Sequence, residues 1–297
     1  MNQYRIRHRT GYHYSTPVRL GPHRLMMRPR DSHDLDLRQS SLVISPEPAS
    51  VRWLYDVWGN SVAIATFAAE TDHLTVESGL TIDHFGLAVP ELLIDEPAQL
   101  WPFEYAAGEL PDLAPYLQSL YPDTYASVRR WAWQVLGELG TRSTAEIVLG
   151  MMRVIRERIS YRRREEPGVQ RAEITLSQGG TCRDLAVLMM ESLRHLGFAS
   201  RFVSGYLYDP QTDPGTTGAT GAIQGGGATH AWLDVYLPGA GWIELDPSNG
   251  LFGSAGLVRV ATARDPEAAL PLTGSFEGPP GTSSSMTVDV QVERISG

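Results

Sequence analysis

Residues 1–90 consist of short segments in which apolar and polar side chains alternate, a period that fits β-strands and excludes helices. The clearest segments are "QYRIRHRTGYHYS", "SSLVISPEP", "SVAIATFA" and "HLTVESGLTIDHF". Proline, glycine or asparagine separates them, and the Gly59–Asn60 pair in "VWGNSV" suits a tight turn. Short strands with no helix between them predict a β sandwich-like domain over residues 1–90.

Residues 91–297 have a mixed pattern that predicts a second domain of the α+β class. "TYASVRRWAWQVLGEL" has the spacing of an amphipathic helix, and Ser143 with Glu146 forms a capping-box signature before the next one. "ASRFVSGYLY" then reads as a strand, "HAWLDVYLPGAGWIELDPSNG" as a hairpin and "MTVDVQVERI" as a final strand of this domain. The Gly/Thr/Pro-rich stretch 209–229 predicts a loop.

Composition narrows the classes of function. The net charge of −9 argues against nucleic-acid binding, which needs a basic surface. The sequence has neither an apolar run long enough for a transmembrane helix nor a signal-peptide pattern at its start, which predicts a cytoplasmic protein without a membrane partner. A single cysteine excludes an intramolecular disulfide and fits a reducing compartment.

Basic residues have an unusual distribution. All 25 are arginine, and seven lie in residues 1–30, which contain no acidic residue. We expect these seven to be exposed on the strands of the β domain. A patch for an acidic partner is the alternative.

Cys182 follows "SQGGT" and begins an amphipathic stretch that stops at Gly197. This places its thiol at the start of a helix, where free N–H groups and the helix dipole favour a thiolate. Glycines just before it let a substrate approach closely. A lone cysteine is also often a buried, inert side chain, so the interpretation needs a base nearby.

Only two histidines follow residue 84, and one of them can reach the thiol. His195 lies thirteen residues along the same helix, about 20 Å away at about 1.5 Å per residue. His230 starts a hairpin strand and is the candidate base. Asp246, at the end of the second strand, is the preferred carboxylate to orient its imidazole, with Asp234 as the competitor.

The segments "GGTCRDLAVLMMESLRHLGFASRFVSGYL", "ATHAWLDVYLPGAGWIELDPSNG" and "ISYRRR" resemble the transglutaminase-like superfamily, whose core shares its catalytic logic with papain-type thiol peptidases. "YRIRHRTGYHYSTPVRLGPHRLMMRPR" and "YDVWGN" resemble the β domain of its bacterial members. The resemblance implies a helix carrying the cysteine, packed on an antiparallel sheet carrying the histidine and aspartate. It also implies that Cys182 is the nucleophile, His230 the base and Asp246 its orienting partner.

The groups that would bind the oxyanion and line the pocket are open. The N–H of Cys182 is the natural first donor. The second could come from Tyr161, Gln178 or Trp232, and Trp232 and Trp242 either line the acyl channel or pack. Arg183 and Asp184 are interpreted as residues of the helix start. Bacterial relatives often carry an aromatic residue where this chain has Leu185. No cofactor or metal is expected, because the histidines lack ligand spacing.

Three functions fit this pattern. The first is thiol-dependent acyl transfer on peptide or side-chain amides of a protein or peptide substrate. The second is a cysteine peptidase or amidase that uses water only. The third, of a different class, is a non-catalytic peptide-binding scaffold on the same fold.

Overall fold

The computed structural model describes residues 2–86, 92–123, 126–164, 166, 168–210, 228–253 and 256–296. The predicted boundary at residue 90 and most of the predicted loop 209–229 lie outside these ranges. No helix in the described part of the chain has both the length and the apolar character needed to cross a membrane.

The N-terminal part is a β sandwich, as its alternating pattern predicts. Its six strands are β1 (Asn2–Leu20), β2 (His23–Arg28), β3 (Leu35–Ser45), β4 (Ser50–Tyr55), β5 (Ser61–Thr66) and β6 (Glu70–His84). Strand β6 pairs with β1 and β3 in one antiparallel sheet, and β5 pairs with β2 and β4 in the other. Buried residues of both sheets, such as Val18, Leu25 and Val76, form the core between them.

Within the described ranges five α-helices follow: α1 (Leu110–Leu117), α2 (Ser127–Leu139), α3 (Thr144–Arg158), α4 (Ala172–Gln178) and α5 (Cys182–His195). The predicted cap of α3 is confirmed, because the Ser143 hydroxyl accepts a hydrogen bond from the Glu146 N–H. Helix α5 is buried along nearly its whole length and ends before Gly197, whose positive φ of 86° reverses the chain.

Helix α5 packs on a third antiparallel sheet, separate from the two sheets of the sandwich. The remaining strands are β7 (Ser200–Leu207), β8 (His230–Leu237), β9 (Gly241–Asp246), β10 (Leu251–Phe252), β11 (Leu257–Ala263), β12 (Leu272–Thr273), β13 (Phe276–Glu277) and β14 (Ser284–Ser296). The sheet has the order β10-β9-β8-β7-β11, and Leu233 and Val235 of β8 share a core with α5. A helix that carries Cys182 on a sheet that carries His230 and Asp246 confirms the predicted α+β class.

The last strand does not belong to this sheet, which corrects the assignment of residues 91–297 to one domain. Strand β14 pairs along β1 of the N-terminal sandwich, and β12 and β13 pair with β2 and β1. Charge explains the choice of partner. Glu293 lies opposite Arg5 and Asp289 opposite Arg9, so acidic side chains of the tail face the arginines of β1. The expectation that the seven N-terminal arginines are exposed strand residues is confirmed for Arg5, Arg9 and Arg19. It is wrong for the other four, because Arg7, Arg24 and Arg28 are half-buried and Arg30 is exposed outside a strand.

The turn "YDVWGN" joins the sandwich to the sheet that packs against α5. The buried Asn60 side chain donates from Nδ2 to the carbonyl of Thr262 at 2.7 Å and accepts from the Thr262 N–H at 2.9 Å. Asp56 fixes this amide, because its carboxylate accepts from both the Asn60 N–H and Nδ2. The Asn60 side chain therefore pairs with the backbone of β11 at Thr262, as a neighbouring strand would.

We expect Asn60→Ala to lower the free energy of unfolding by about 3 kcal/mol, because it removes these bonds and leaves the Thr262 amide groups buried without partners. Urea denaturation measures the change. Ser50→Ala, which removes an exposed hydrogen bond to Thr66, is the control and should cost less than about 0.5 kcal/mol. Equal costs for the two variants would contradict the bridging role of Asn60.

Candidate active site

Cys182 is the first residue of α5, as predicted, and is 6% exposed. Thr181 caps the helix, and the Asp184 carboxylate accepts from the Thr181 N–H at 2.8 Å. At the first helical position the N–H of Cys182 has no partner within the helix. The thiol thus lies beside free donors at the positive end of the helix dipole.

Asp184 fixes the loop before Cys182. Its fully buried carboxylate accepts two bonds from Arg164, at 2.9 and 3.1 Å, and one from the Gln170 N–H at 2.9 Å. Burial alone would raise the pKa of Asp184, but these bonds and those from Thr181 hold it below its usual range. The interpretation of Asp184 as a residue of the helix start is confirmed. Arg164 and Gln170 were not singled out from the sequence.

His230 and Asp246 are brought together at the open end of the β8–β9 hairpin. His230 Nε2 lies 2.7 Å from Asp246 Oδ2, and both side chains are fully buried. Nδ1 of His230 is buried without a nitrogen or oxygen partner in the described part of the chain. Cys182 is close enough to His230 for its charge to favour the protonated imidazole.

Protonated His230 is strongly favoured in this position. Burial acts to lower its pKa, but the charges of Asp246 and Cys182 and hydrogen bonds to both outweigh burial and raise the pKa of His230 to about 10. An imidazolium beside the buried Asp246 carboxylate is the form that these effects stabilise.

Asp246 is fixed by the turn that follows it. Its Oδ1 accepts from the Ser248 N–H at 2.9 Å and from the Ser248 hydroxyl at 2.5 Å, and its Oδ2 accepts from Asn249 Nδ2 at 2.9 Å. Burial would raise the pKa of Asp246, but the charge of His230 and these bonds keep it below its usual range. Sequence reasoning missed Ser248 and Asn249. An aspartate followed by polar turn residues in "DPSN" was the available signal.

Asp234 and His195, the alternative carboxylate and the alternative histidine, lie against other residues. Asp234 Oδ2 accepts from Arg201 Nε at 2.9 Å, so this carboxylate does not orient His230. His195 ends α5, as expected from the helix length, and its Nε2 lies 3.7 Å from Asp123.

Tyr161 is a proposed pocket residue, and the charges of both Cys182 and Asp246 affect the pKa of its hydroxyl. Residue 161 forms a parallel bridge with Gly180, which brings it beside the loop before the thiol. Burial, followed by the charge of Cys182, raises the pKa of Tyr161 to about 12, so its hydroxyl stays protonated and can donate. Gln178 is the last residue of α4, and its side chain is exposed.

Trp232 and Trp242 have different surroundings. Trp232 is fully buried and stacks on His230 with ring centroids 5.9 Å apart, and its indole N–H has no hydrogen-bond partner in the described part of the chain. Trp242 lies four residues before Asp246 on β9, about 13 Å along the strand, and packs under Arg201 at 4.2 Å. It lines a cleft of about 730 Å³ between the sandwich and the sheet, so the packing interpretation fits both residues better than an acyl channel.

A smaller cavity of about 320 Å³ adjoins the site. Tyr161, Leu185, Ser248 and Asn249 line it, together with residues of the end of α3. Leu185, one turn after Cys182 and only 1% exposed, is the position where an aromatic residue would fill part of this space.

Two family models cover the two parts of the chain. Residues 4–83 match the bacterial transglutaminase-like N-terminal region, and residues 133–247 match the transglutaminase-like superfamily. The second range includes Cys182, His230 and Asp246.

Relatives and solved structures agree with these matches. An uncharacterized protein of Mycobacterium tuberculosis is 30% identical, over 99% of this chain and 93% of the relative, and one of Mycobacterium leprae is 26% identical, over 96% and 97%. The crystal structure of a candidate cysteine protease from Cytophaga hutchinsonii has the same fold, with a TM-score of 0.74, 18% identity and coverage of 100% of this chain and 91% of that one. The chain belongs to the transglutaminase-like superfamily and carries the bacterial N-terminal region in front of its core.

Proposed function

We propose that the protein is a thiol enzyme that transfers acyl groups from peptide or side-chain amides, with Cys182 as nucleophile, His230 as acid and base, and Asp246 as the residue that orients His230. The main support is the His230 imidazole itself. One ring nitrogen is bound to a fixed, buried carboxylate, and the other is free on the side of a thiol at a helix start.

The first half-reaction forms a thioester. The Cys182 thiolate attacks the carbonyl carbon of the amide, and the electron pair of the C=O bond moves to oxygen. The C–N bond then breaks, and the imidazolium of His230 gives its proton to the leaving amine. In the second half-reaction water or an amine attacks the thioester, neutral His230 accepts the proton, and the thiolate leaves.

The N–H of Cys182 and the hydroxyl of Tyr161 are the proposed oxyanion donors. The first is free because of its place in the helix, and the second is protonated and close to the thiol. Each such donor is typically worth about a hundredfold or more in rate. Gln178 is exposed and Trp232 is fully buried in a stack with His230, so neither is part of this proposal.

The acceptor decides between an acyltransferase and an amidase or peptidase, since both share the first half-reaction. The substrate in either case is a protein or peptide. We also propose a cytoplasmic location, because the only cysteine is unpaired and must stay reduced to react.

Acyl-enzyme trapping tests the proposal directly. The full chain is incubated with p-nitrophenyl acetate, and intact mass spectrometry is read during turnover. Because the chain has one cysteine, we expect one acyl group that hydroxylamine removes. Repeating the turnover with a glutamine-containing peptide, with and without glycine methyl ester, shows whether amine or water resolves the thioester. Absence of an acyl adduct under all conditions would leave the scaffold interpretation.

A further inference from the structure

Three consecutive arginines, Arg162 to Arg164, run beside the loop that leads to Cys182. The N–H of Arg162 donates to the carbonyl of Gly180 at 2.8 Å, and the N–H of Gly180 donates to the carbonyl of Ser160 at 3.1 Å. These bonds fix the two segments side by side in parallel. Residue 163 therefore follows the bridge in the same direction as Cys182 follows Gly180.

Among the described residues, one of these three arginines holds the fold through ion pairs. Arg164 binds Asp184 through two nitrogens and also lies 3.6 Å from Glu166. Arg163 and Arg183, the residue after the thiol, have no ion pair in the described part of the chain. Arg163 is exposed and Arg183 is half-buried, so both can meet a solute.

The acidic side chains that the structure describes around this loop pair with other arginines. Glu166 and Asp184 lie against Arg164, and Glu173 lies 2.7 Å from Arg171. In the described part of the chain, Arg163 and Arg183 are therefore two positive charges without an ion pair beside the loop that leads to Cys182.

Both guanidinium groups are close enough to Tyr161 to affect its hydroxyl. The charges of Arg163 and Arg183 lower the pKa of Tyr161, which burial and Cys182 raise. Tyr161 lies beside the thiol, so an anionic group bound by these arginines would lie next to the carbonyl that Cys182 attacks.

From this placement we propose that the acyl donor carries a carboxylate next to its reacting amide, and that Arg163 and Arg183 bind it. This inference rests on the proposed function and names its substrate class. The carboxylate comes either from an acidic side chain or from the free C-terminus of a peptide, since the two present the same group to an arginine.

Alkylation by a charged and a neutral reagent tests the field at the thiol without a substrate. Iodoacetate and iodoacetamide transfer similar groups and differ in charge. We measure both second-order rates of Cys182 alkylation at neutral pH for the wild type, R163Q, R183Q and the double variant. Arg52→Gln, an exposed arginine on β4, is the matched control.

The ratio of the iodoacetate rate to the iodoacetamide rate should fall about tenfold in the double variant and stay unchanged in Arg52→Gln. The iodoacetamide rate should change by less than about twofold, because the thiol itself is untouched. Added salt should lower the wild-type ratio towards that of the double variant. This salt dependence remains a test if the double variant does not fold.

Peptide donors then separate the two sources of the carboxylate. Glutamine peptides with Asp or Asn beside the reacting residue, each with a free or amidated C-terminus, are compared by kcat/KM. One of the two carboxylates should raise kcat/KM about tenfold in the wild type but not in the double variant. This inference alone is overturned if Cys182 reacts fast with iodoacetamide but the ratio of the iodoacetate rate to the iodoacetamide rate and the peptide preference are the same with and without the two arginines. A thiol that reacts with neither reagent overturns the proposed function with it.

Discussion

Cys182→Ser should abolish acyl transfer, with a loss of at least about ten thousandfold in kcat/KM. A serine hydroxyl at this position has the same shape as the thiol, with oxygen in place of sulfur, but does not ionise beside His230. The helix start, its cap and the His230–Asp246 pair do not depend on sulfur. We therefore expect the folded structure to be unchanged, with activity on p-nitrophenyl acetate as the readout.

The single cysteine makes the control unusually clean. In the wild type, one equivalent of iodoacetamide should remove all activity, and the mass gain reports Cys182 alone. The serine variant should neither gain mass nor form an acyl adduct, while its melting temperature stays within a few degrees. Substantial activity left in Cys182→Ser would mean that the thiol is not the nucleophile.

The three residues of the proposed triad could be found from the sequence because each has a local signature. Two glycines and a helix mark Cys182, a hairpin start marks His230, and a strand end before proline marks Asp246. Elimination of His195 needed only the length of a helix. The placement of His230 beside Asp246 follows from the antiparallel hairpin, whose register brings its two ends together.

The groups around them could not be found in the same way. Trp232 is two residues from His230, and the alternation of the strand puts both on one face, where the indole stacks on the imidazole. Asp184 accepts a hydrogen bond from Arg164, which lies twenty residues earlier in the chain, and no local sequence pattern encodes this contact.

The domain assignment failed at β14 for a related reason. Its alternating pattern predicts a strand but not the sheet it joins, and β1 offers a long edge with complementary charges far away in sequence. The two ends of the chain therefore meet in one sheet. The sandwich depends on the tail, and truncation before residue 284 would expose the edge of β1.

Asp246→Asn should lower kcat/KM about a thousandfold and change its dependence on pH. The amide keeps the shape of the side chain but removes the charge and the hydrogen bond that raise the pKa of His230, while burial, which lowers it, stays. In the wild type the imidazolium should persist until the pH approaches about 10. In the variant it should be lost at lower pH, and the iodoacetamide rate of Cys182 near neutrality should fall with it.

The same shift has a consequence for stability. A raised pKa in the folded state means that protonation of His230 stabilises the fold fully below its unfolded value near 6.5, and that this contribution is lost as the pH rises through about 10. The free energy of unfolding should therefore decline with pH over this window in the wild type, and less so in Asp246→Asn. Urea denaturation at several pH values gives both slopes.

Asp234→Asn separates orientation of His230 from the general cost of changing a buried carboxylate. Asp234 is as buried as Asp246, lies on the same hairpin and pairs with Arg201 instead of His230. Its loss should destabilise the fold because Arg201 is left without its partner, yet the pH profile of Cys182 alkylation should match the wild type. If Asp234→Asn moved that profile and Asp246→Asn did not, the carboxylate that sets the protonation of His230 would have been misassigned. A profile that moves only in Asp246→Asn ties the reactivity of the thiol to the carboxylate behind the imidazole.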